Sequence, residues 1–392
     1  MQQPQNWQNI SRNLGMIKIV KDLCRIEYGA SPMQIRSDDN TGICIYGTGG
    51  FVGYSKEPLF KEPLIVVARK GTLDKPLLAD LPCWVIDTAY AAIPKNDVDV
   101  KWLCYQFQMF DLSRLNESTG VPSISRSYLY KQPIPYQTLP EQRKIATILS
   151  TVDKVIENTE ATIEKYKAIK AGMMQDLFNR GIDVKTGKLR PSFQEAPAQY
   201  KETELGWIPQ DWVVNRLSQI AKIEYGSSPK NVTSSDFSNV NLYGSGGHIG
   251  YATEPLYTNP IVVVARKGTL NKPSLSLREC WVIDTAFAII PEPHVCIHWL
   301  YYQLDFYDLI RLNESTGVPS ISRDYLGKLM LKKPVRYQEQ VMIANLIQDM
   351  DNMLSSEKHS KVIFESIKNG LMADLLTGKV RVKINEDKLE NS

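Results

Sequence analysis

The thirteen-residue stretch Arg114–Arg126, which reads RLNESTGVPSISR, occurs a second time without change at Arg311–Arg323. The two copies lie 197 residues apart, and the same separation relates Val66–Leu73 (VVARKGTL) to Val263–Leu270. A repeat of this length is too long for a solenoid or propeller unit, so each copy should fold around a core of its own. The sequence therefore predicts two similar globular domains within one chain.

The composition is that of a globular protein with no sign of a membrane span or a cysteine framework. The chain has 392 residues, of which 43% are apolar, an ordinary share for a soluble domain. No run of about 18 apolar residues is present and the first residues resemble no signal peptide, so we expect a cytoplasmic location without a membrane partner. The six cysteines form no CxxC pair, which argues against a disulfide framework or a zinc site. The net charge of +3 permits an anionic partner without requiring one.

Each globular unit is expected to be α+β, with more strand than helix. In the first unit, residues 16–135, short apolar runs are bounded by Gly, Pro, Asn and Asp. The run Leu64–Ala68 is unbroken rather than alternating, which predicts a strand buried on both faces. Val100–Leu112 has the apolar spacing of an amphipathic helix, and its counterpart in the second copy is Ile297–Leu309.

A long helix is predicted after the first globular unit. Glu141–Phe178 contains no Pro, and its apolar residues recur at alternating steps of four and three, a coiled-coil seam that Thr159 and Lys170 interrupt. At 1.5 Å per residue this segment would form a rod about 57 Å long, which cannot hide its apolar stripe inside a small domain. The rod therefore needs a partner helix.

The second copy supplies that partner, with one residue gained before it, so that the separation becomes 198. Glu357, Lys361 and Lys368 occupy its seam, which indicates looser packing there or a contact with another chain. We expect the two rods to pair with each other, and an antiparallel pair would have a pseudo-twofold axis at its midpoint. The residues expected to form this pair are Ile145, Leu149, Val152, Ile156, Ile163, Ile343, Ile347, Met350, Leu354 and Leu371.

Two other segments differ in composition from the domains and the rods. Arg180–Trp212 is rich in Gly, Pro and charged residues, which is typical of a linker. Its end resembles Pro4–Trp7 near the start of the chain. Asn385–Ser392 is a polar tail that we expect to lack fixed structure.

No set of residues has the spacing of a catalytic or metal site. Gly47–Gly53 lacks the pattern of a nucleotide-binding loop and predicts a tight turn, with a loop that approaches a DNA phosphate as the alternative. His294 and His298 are four residues apart, but the first copy has neither, so no metal site is predicted. Asp87 and Asp284 follow strands and suit turns. We therefore expect a chain that is not an enzyme by itself.

Two adjacent cations follow the buried strand of each copy, in the sequences Arg69-Lys70-Gly71-Thr72 and Arg266-Lys267-Gly268-Thr269. A loop that combines cations, Gly and a hydroxyl suits contact with a phosphate. A solvated turn explains the same residues equally well. Both interpretations stay open at this point.

The repeated thirteen-residue stretch places hydroxyl and amide side chains between two arginines, with a turn at Gly120 and Pro122. Such groups on a rigid loop suit contact with DNA bases and phosphates, although a structural loop before the next strand is the alternative. The residues expected to contact DNA are Arg69, Lys70, Thr72, Arg114, Asn116, Ser118, Thr119, Ser123, Ser125 and Arg126 in the first copy, and Arg266, Lys267, Thr269, Arg311, Asn313, Ser315, Thr316, Ser320, Ser322 and Arg323 in the second.

The order of these segments resembles the specificity subunits of type I restriction–modification systems over nearly the whole chain. The resemblance is carried, twice, by the Tyr-Gly-x-Gly-Gly turn, the Arg-Lys-Gly-Thr loop, the Ser-Thr-Gly…Ser-Ile-Ser stretch and a Glu-Gln-x-x-Ile-Ala helix start. The second helix start departs from the first in having Gln338 where the first has Pro140.

The resemblance implies two target-recognition domains, each followed by a conserved helix, with the helices paired as an antiparallel coiled coil of pseudo-twofold symmetry. The segments it implies are recognition domain 1 (1–139), a central helix (140–180), a linker (181–212), recognition domain 2 (213–337), a distal helix (338–380) and a polar tail (381–392). The implied partners are double-stranded DNA, two DNA methyltransferase (modification) subunits and the restriction or translocase subunits. S-adenosylmethionine, ATP and magnesium would belong to those partners, and this chain would hold no cofactor.

Because the two domains are so alike, we expect two similar half-sites in inverted orientation, which together make a near-palindromic bipartite DNA site. The isolated chain could also associate with itself through exposed helix stripes. The alternative function is a non-catalytic tandem module that binds a nucleotide or a glycan, with the coiled coil as an oligomerisation arm.

Overall fold

A computed structural model describes residues 16–37, 41–73, 76–79, 82–236 and 240–384. The resemblance at Pro4–Trp7 and the tail at Asn385–Ser392 lie outside these residues. The chain forms two compact units. Unit 1 contains the described residues up to Glu160 and from His359 onward, and unit 2 is Ala161–Lys358. Each unit therefore contains one globular domain together with parts of both long helices.

Unit 1 builds its domain from short strands and three short helices, and the first long helix follows. The elements are β1 Ile17–Ile19, α1 Val20–Leu23, β2 Cys24–Tyr28, β3 Ile43–Gly47, β4 Gly50–Ser55, β5 Leu64–Ala68, β6 Leu77–Ala79, β7 Trp84–Val85, β8 Ala89–Pro94, α2 Val100–Gln108, α3 Arg126–Tyr130, β9 Pro133–Pro135 and the long helix α4 Leu139–Arg180. An antiparallel sheet has the order β2-β8-β5-β6, and a second has the order β4-β3-β7, in which β3 and β7 are parallel. Strands β1 and β9 form a separate pair.

Strand β5 lies at the centre of the unit 1 core. All five of its residues are buried, as predicted from the unbroken apolar run. Ile65 and Val67 pack with the side chains of α2, while Leu64 and Val66 pack with a second apolar cluster on the opposite face. A strand that is covered on both faces has no position where a polar side chain can reach water.

Helix α2 buries the aromatic face that the sequence predicts, but it is shorter than expected. Trp102 and Phe107 are fully buried. The helix ends at Gln108, four residues before the predicted end, and a 3-10 turn at Leu112–Leu115 follows. Asp111 breaks the helix because its backbone is not helical and its carboxylate accepts a hydrogen bond from the Ser113 hydroxyl. The corresponding helix of unit 2 ends at Phe306, also short of its predicted end.

Unit 2 repeats this order of elements and adds a hairpin at its start. The elements after α4 are β10 Tyr200–Thr203, β11 Gly206–Pro209, β12 Trp212–Arg216, α5 Leu217–Ile220, β13 Ala221–Tyr225, β14 Thr233–Ser234, β15 Val240–Gly244, β16 Gly247–Ala252, β17 Ile261–Ala265, β18 Ser274–Ser276, β19 Cys280–Val282, β20 Ala286–Pro291, α6 Ile297–Phe306, α7 Arg323–Gly327, β21 Met330–Pro334 and the long helix α8 Tyr337–Leu375. The sheets have the orders β13-β20-β17-β18, β14-β16-β15-β19 and β12-β21.

The segment between α4 and β12 is folded rather than extended. Strands β10 and β11 pair in an antiparallel hairpin. Tyr200, Ile208 and Trp212 are buried, and the last two belong to the main core of unit 2. The Gly and Pro content that is typical of a linker here forms the turns of an ordered part of unit 2.

The two long helices run antiparallel within each unit. In unit 1, Asp153 of α4 pairs with Lys368 of α8 at 2.6 Å, and Glu160 pairs with Lys361 at 2.7 Å. Residue numbers therefore increase along α4 in the direction in which they decrease along α8. These ion pairs give Lys361 and Lys368 partners within the chain, while the looser packing expected at Glu357, Lys361 and Lys368 stays a prediction. Both cations meet a carboxylate on the facing helix of the same chain.

Each globular domain is bonded to the helix pair through a repeated tyrosine. The Tyr105 hydroxyl lies 2.5 Å from the Asp153 carboxylate in unit 1. In unit 2, Tyr302 lies 3.0 Å from Asp351, which pairs with Lys170 at 2.6 Å. Burial, and then the hydrogen bond to the neighbouring aspartate, raise the pKa of both tyrosines, so that each hydroxyl is a stable donor. Lys170, which interrupts the predicted seam, thus completes a bonded network.

The Glu-Gln pair near the start of α4 joins that helix to its domain and to the segment that follows α8. The Gln142 side-chain carbonyl accepts a hydrogen bond of 2.8 Å from the Asp99 amide, at the start of α2. The Glu141 carboxylate accepts from the guanidinium of Arg381, at 2.7 Å. Burial alone would raise the pKa of Glu141, but hydrogen bonds from Thr138 and Arg381 hold it below its usual value.

The same pair in unit 2 is more deeply buried. Gln340 accepts from the Cys296 amide at 2.8 Å. Glu339 has no exposed surface and accepts hydrogen bonds from the Arg190 guanidinium, from the Trp212 indole at 3.0 Å and from the Ile182 amide at 3.0 Å. Arg190 and Arg381 end the related sequences TGKLR and TGKVR, which follow the two long helices. The two copies of this repeat are 191 residues apart rather than 197, so the spacing of the main repeat does not reveal it.

The seam residues of the helices divide between the domain cores and the helix pair. Ile145 and Leu149 belong to the core of unit 1, which also takes in Leu375, and Ile343 and Ile347 belong to that of unit 2. The remaining residues expected at the helix pair are buried or half-buried, namely Val152, Ile156, Ile163, Met350, Leu354 and Leu371.

Candidate nucleic-acid interface

Three sequence motifs that lie far apart in the chain meet at one end of the main sheet of unit 1. The loop after β5 pairs with the repeated stretch: Lys70 forms a β-bridge with Ser123, and the Gly71 amide donates to the Pro122 carbonyl at 2.9 Å. The amides of Arg69 and Lys70 both donate to the carbonyl of Thr88, in the turn before β8. The equivalent bridge in unit 2 joins Lys267 to Ser320.

The glycine-rich sequence forms the tip of the β3–β4 hairpin beside this loop. Gly50 and Gly53 have φ values of +109° and +144°, which only glycine adopts easily, as a tight turn requires. A β-carbon added to Gly71 would lie 3.9 Å from the Thr48 hydroxyl, so the hairpin tip is next to the Arg-Lys-Gly-Thr loop. In unit 2, Ser245 has the corresponding position beside Gly268.

Two arginines lie on one exposed tyrosine at this end of the sheet. The guanidinium groups of Arg69 and Arg126 lie 5.0 Å and 4.9 Å from the centre of the Tyr28 ring, which is 49% exposed. Arg69 also donates to the Asp87 carbonyl at 2.8 Å. Cation–π contacts and this hydrogen bond fix both charges in place before any ligand arrives. Two fixed cations beside each other repel, and a bound phosphate would relieve that repulsion.

Unit 2 contains the same arrangement, except that Arg323 also lies 4.0 Å from the carboxylate of Asp324, where unit 1 has Ser127. Arg266 and Arg323 lie 5.3 Å and 5.2 Å from the centre of the Tyr225 ring, which is 48% exposed. Arg266 donates to the Asp284 carbonyl at 3.1 Å. We call these two groups the arginine–tyrosine clusters of the two units. The turn role predicted for Asp87 and Asp284 fits, since their backbone carbonyls hold the first arginine of each cluster.

Several polar residues of the repeated stretch hold the loop itself in shape. The Asn116 side chain accepts from the amides of Ser118 and Ser123, at 3.0 Å and 2.9 Å. The Ser125 hydroxyl caps helix α3. Hydrogen bonds from Ser125 lower the pKa of Glu117, so that this carboxylate stays ionised as a loop acceptor. In unit 2, Asn313, Ser315, Ser320 and Ser322 form the same bonds.

The first arginine of the repeated stretch has a different environment from the last. Arg114 is 78% exposed and pairs with Asp111 at 2.7 Å, and Arg311 pairs with Asp308 at 3.3 Å. Neither belongs to an arginine–tyrosine cluster. An ion pair this exposed is worth little, so either arginine can exchange its partner for another anion.

The residues of the site that remain exposed include one that the sequence analysis missed. Lys70, Thr72 and Thr119 are exposed, as are Lys267, Thr269 and Thr316 in unit 2. Val121 is 67% exposed and its counterpart Val318 is 66% exposed. The sequence indicates this residue, because an apolar side chain within a polar loop is present in both copies. Such a side chain suits contact with the methyl group of thymine.

Within the residues that the structure describes, no group of His, Cys, Asp and Glu could hold a metal ion. No helix of the described ranges is long and apolar enough to cross a membrane.

The chain is similar to known restriction–modification proteins. A family model described as type I restriction modification DNA specificity domain matches residues 16–168 and 209–363. The type I restriction enzyme MjaVIII specificity subunit of Methanocaldococcus jannaschii is 26% identical over 326 residues, covering 74% of this chain and 72% of that protein. The putative type I restriction enzyme MjaX specificity subunit of the same organism is 28% identical over 319 residues, covering 74% and 70%.

Solved structures agree on the fold. The S subunit of a type I restriction–modification system from M. genitalium has a TM-score of 0.66 and 17% identity, covering 95% of this chain and 98% of that one. A chain from a structural study of assembly and conformational transition in a type I system has a TM-score of 0.53 and 13% identity, covering 94% and 100%. At these identities the likeness concerns the fold alone.

Proposed function

The chain belongs to the type I restriction-modification DNA specificity family, and we infer that it is the subunit that recognises the DNA sequence. It directs the methyltransferase and endonuclease subunits of such a system to their target. We assign the chemistry to those partners: S-adenosylmethionine, ATP and magnesium would act in the modification and restriction subunits. We also propose two modification subunits for each chain, and a cytoplasmic location.

The arginine–tyrosine cluster is the observation that supports DNA contact most directly. In a purely structural role, a guanidinium group would have its hydrogen-bond donors paired within the protein. Here two guanidinium groups instead lie against a half-exposed tyrosine ring at the edge of the domain. The Arg126 guanidinium donates a long hydrogen bond of 3.4 Å to the Ile26 carbonyl. Arginine donors held in this way can bind a phosphate or the acceptor edge of guanine.

We propose that each unit reads one half of a bipartite site and that the halves are similar and inverted. Two facts support this. The cluster residues, the Arg-Lys-Gly-Thr loop and the thirteen-residue stretch have the same sequence in both units. The helix segments of each unit run antiparallel, which is the geometry from which inverted half-sites would follow. The division into recognition domains at 1–139 and 213–337, helices at 140–180 and 338–380, a connection at 181–212 and a tail at 381–392 is part of this proposal.

The test is the salt dependence of DNA binding by the complex of this chain with its modification subunit. The probe is a duplex that carries the motif found by methylation sequencing of cells expressing both. The double variant Arg126→Met and Arg323→Met should bind at least about tenfold more weakly, because it loses one charge-assisted contact in each half. If both arginines contact phosphates, the slope of log affinity against log salt should fall in magnitude by about two.

Arg25→Met is the matched control. Arg25 is 56% exposed, but it lies at the opposite end of β2 from Tyr28, beside Ile93. The control should change neither the affinity nor the slope. Equal behaviour of the double variant and the control would contradict the proposed interface, and methylation that does not depend on the chain would contradict the function.

A further inference from the structure

Most exposed residues around the arginine–tyrosine clusters are the same in both units, with Ser127 against Asp324 as an exception, whereas the adjacent hairpin differs. Lys70, Thr119 and Val121 are exposed, and unit 2 has the same residues at those positions. On the hairpin, GGFVGYS of unit 1 becomes GGHIGYA in unit 2. An exposed position elsewhere has changed freely, since Lys101 is replaced by the half-buried His298 in unit 2. Identity around the clusters is therefore not a general property of the surface.

The changed residue has the same backbone position in both hairpins. Phe51 pairs with Tyr46 across β3 and β4, and His248 pairs with Tyr243 across β15 and β16. Both pairs follow a register shift at the same place, between Ile45 and Tyr46 and between its counterparts. The two side chains thus start from equivalent points of the domain, one strand residue beyond the tip that lies next to the cluster loop.

The two side chains are both presented to solvent, each against an aromatic neighbour. Phe51 is 53% exposed and meets the Tyr54 ring edge-on at 5.0 Å between centroids. His248 is exposed and meets the Tyr251 ring at 5.0 Å in the same geometry. A half-exposed phenylalanine adds little to the core, so packing does not account for an aromatic residue at this position. A rigid ring held on a hairpin beside fixed cations suits contact with a base.

We propose that Phe51 and His248 determine the difference between the two DNA half-sites. Phe51 has neither donor nor acceptor and would contact a thymine methyl group, whereas His248 would donate a hydrogen bond to an acceptor of guanine. The identical clusters then hold the parts that both half-sites share. This inference rests on the proposed function and adds the residue that makes a near-palindrome imperfect.

The test exchanges the two residues in the complete complex and reads the methylated motif by long-read sequencing. Phe51→His should change one position of one half-site to the base found in the other half, leaving the second half as it was. His248→Phe should make the reciprocal change. The methylated fraction at the original motif should fall at least about tenfold in each variant, the usual cost of one wrong base contact.

Lys101→His is the control, because it also copies a histidine from unit 2. Lys101 lies in α2, beyond the Pro94 end of β8, while the cluster is at the Ala89 end. It should leave the motif unchanged.

The outcomes separate this inference from the function on which it rests. An unchanged motif in both exchange variants, with wild-type methylation intact, would overturn the inference and keep the function. Loss of methylation in correctly folded exchange variants would also overturn the inference, because the inference requires that the exchange variants methylate a changed motif. If the wild-type complex methylated no motif in a chain-dependent manner, the proposed function itself would fail.

Discussion

The two glutamates that open the long helices should differ strongly in what they contribute to stability. Glu339 is fully buried, and its partner Arg190 is only 11% exposed. Glu141 is 8% exposed at its side chain, but its partner Arg381 is 58% exposed. The perturbation is the replacement of each carboxylate by an amide of nearly the same shape, Glu339→Gln and Glu141→Gln. The sequence around them is alike, so burial is the main difference.

The expected magnitudes follow from that burial. Removal of one partner of a buried ion pair usually costs about 3–5 kcal/mol, because the other charge stays buried without compensation. Glutamine can still accept from Trp212 and Ile182, and Asp211 remains 3.1 Å from Arg190, so we expect the lower end, about 3 kcal/mol. For Glu141 the freed guanidinium is in water, and the loss should be about 1 kcal/mol at most.

Native-state hydrogen exchange measures both effects locally, which matters because two units need not unfold together. In Glu339→Gln, amides of residues 182–190 and of the start of α8 should exchange about 150-fold faster, which corresponds to 3 kcal/mol. In Glu141→Gln, amides at the start of α4 should exchange no more than about fivefold faster. Equal acceleration in the two variants, or less than tenfold in Glu339→Gln, would refute the reasoning from burial.

Two further substitutions test the packing of unit 1. A β-carbon on Gly29 would overlap the backbone carbonyls of Val85 and Ile86, whereas one on Gly120 would meet nothing within 4 Å. Gly29→Ala should therefore destabilise unit 1 by about 1–3 kcal/mol in urea denaturation, and Gly120→Ala should be close to neutral. Lys368→Met removes the cation that faces half-buried Asp153 and should cost about 1–2 kcal/mol by the same assay. Lys154→Met, at an exposed position of α4 in unit 1, should cost nothing measurable. A Gly29 variant as stable as wild type, or equal effects of the two lysine variants, would contradict these contacts.

Local patterns in the sequence predicted the elements well, because their physical cause is local. The apolar run Leu64–Ala68 became a strand buried on both faces, and the four-three spacing became long helices. Pairing between segments that are distant in the sequence was harder to predict. Nothing in the spacing indicates that Lys70 lies against Ser123, since a β-bridge between two loops depends on the whole domain.

Charged seam positions were the least predictable feature. A lysine in a coiled-coil seam, such as Lys368, indicates weak packing when the facing residue is unknown. The structure supplies Asp153 as the facing residue. The TGKLR and TGKVR repeat could have pointed to Arg190 and Arg381, but a search at one fixed separation passes over it.

Solvent exposure distinguishes the two reasons why a residue can be identical in both copies: a role in holding the fold and a role in binding a ligand. Asn116 is the same in both units because its side chain closes the loop, and any ligand-free version of the domain would need it. Val121 is the same although two-thirds of its surface is in water, where folding gains little from it. Exposed residues that are identical in both units, such as Val121, together with the arginine–tyrosine clusters, indicate that both units bind the same kind of ligand through this surface. Phe51 of unit 1 and His248 of unit 2 differ chemically at equivalent positions of this otherwise shared surface. A protein that recognises two similar but not identical half-sites requires such a difference between its two domains.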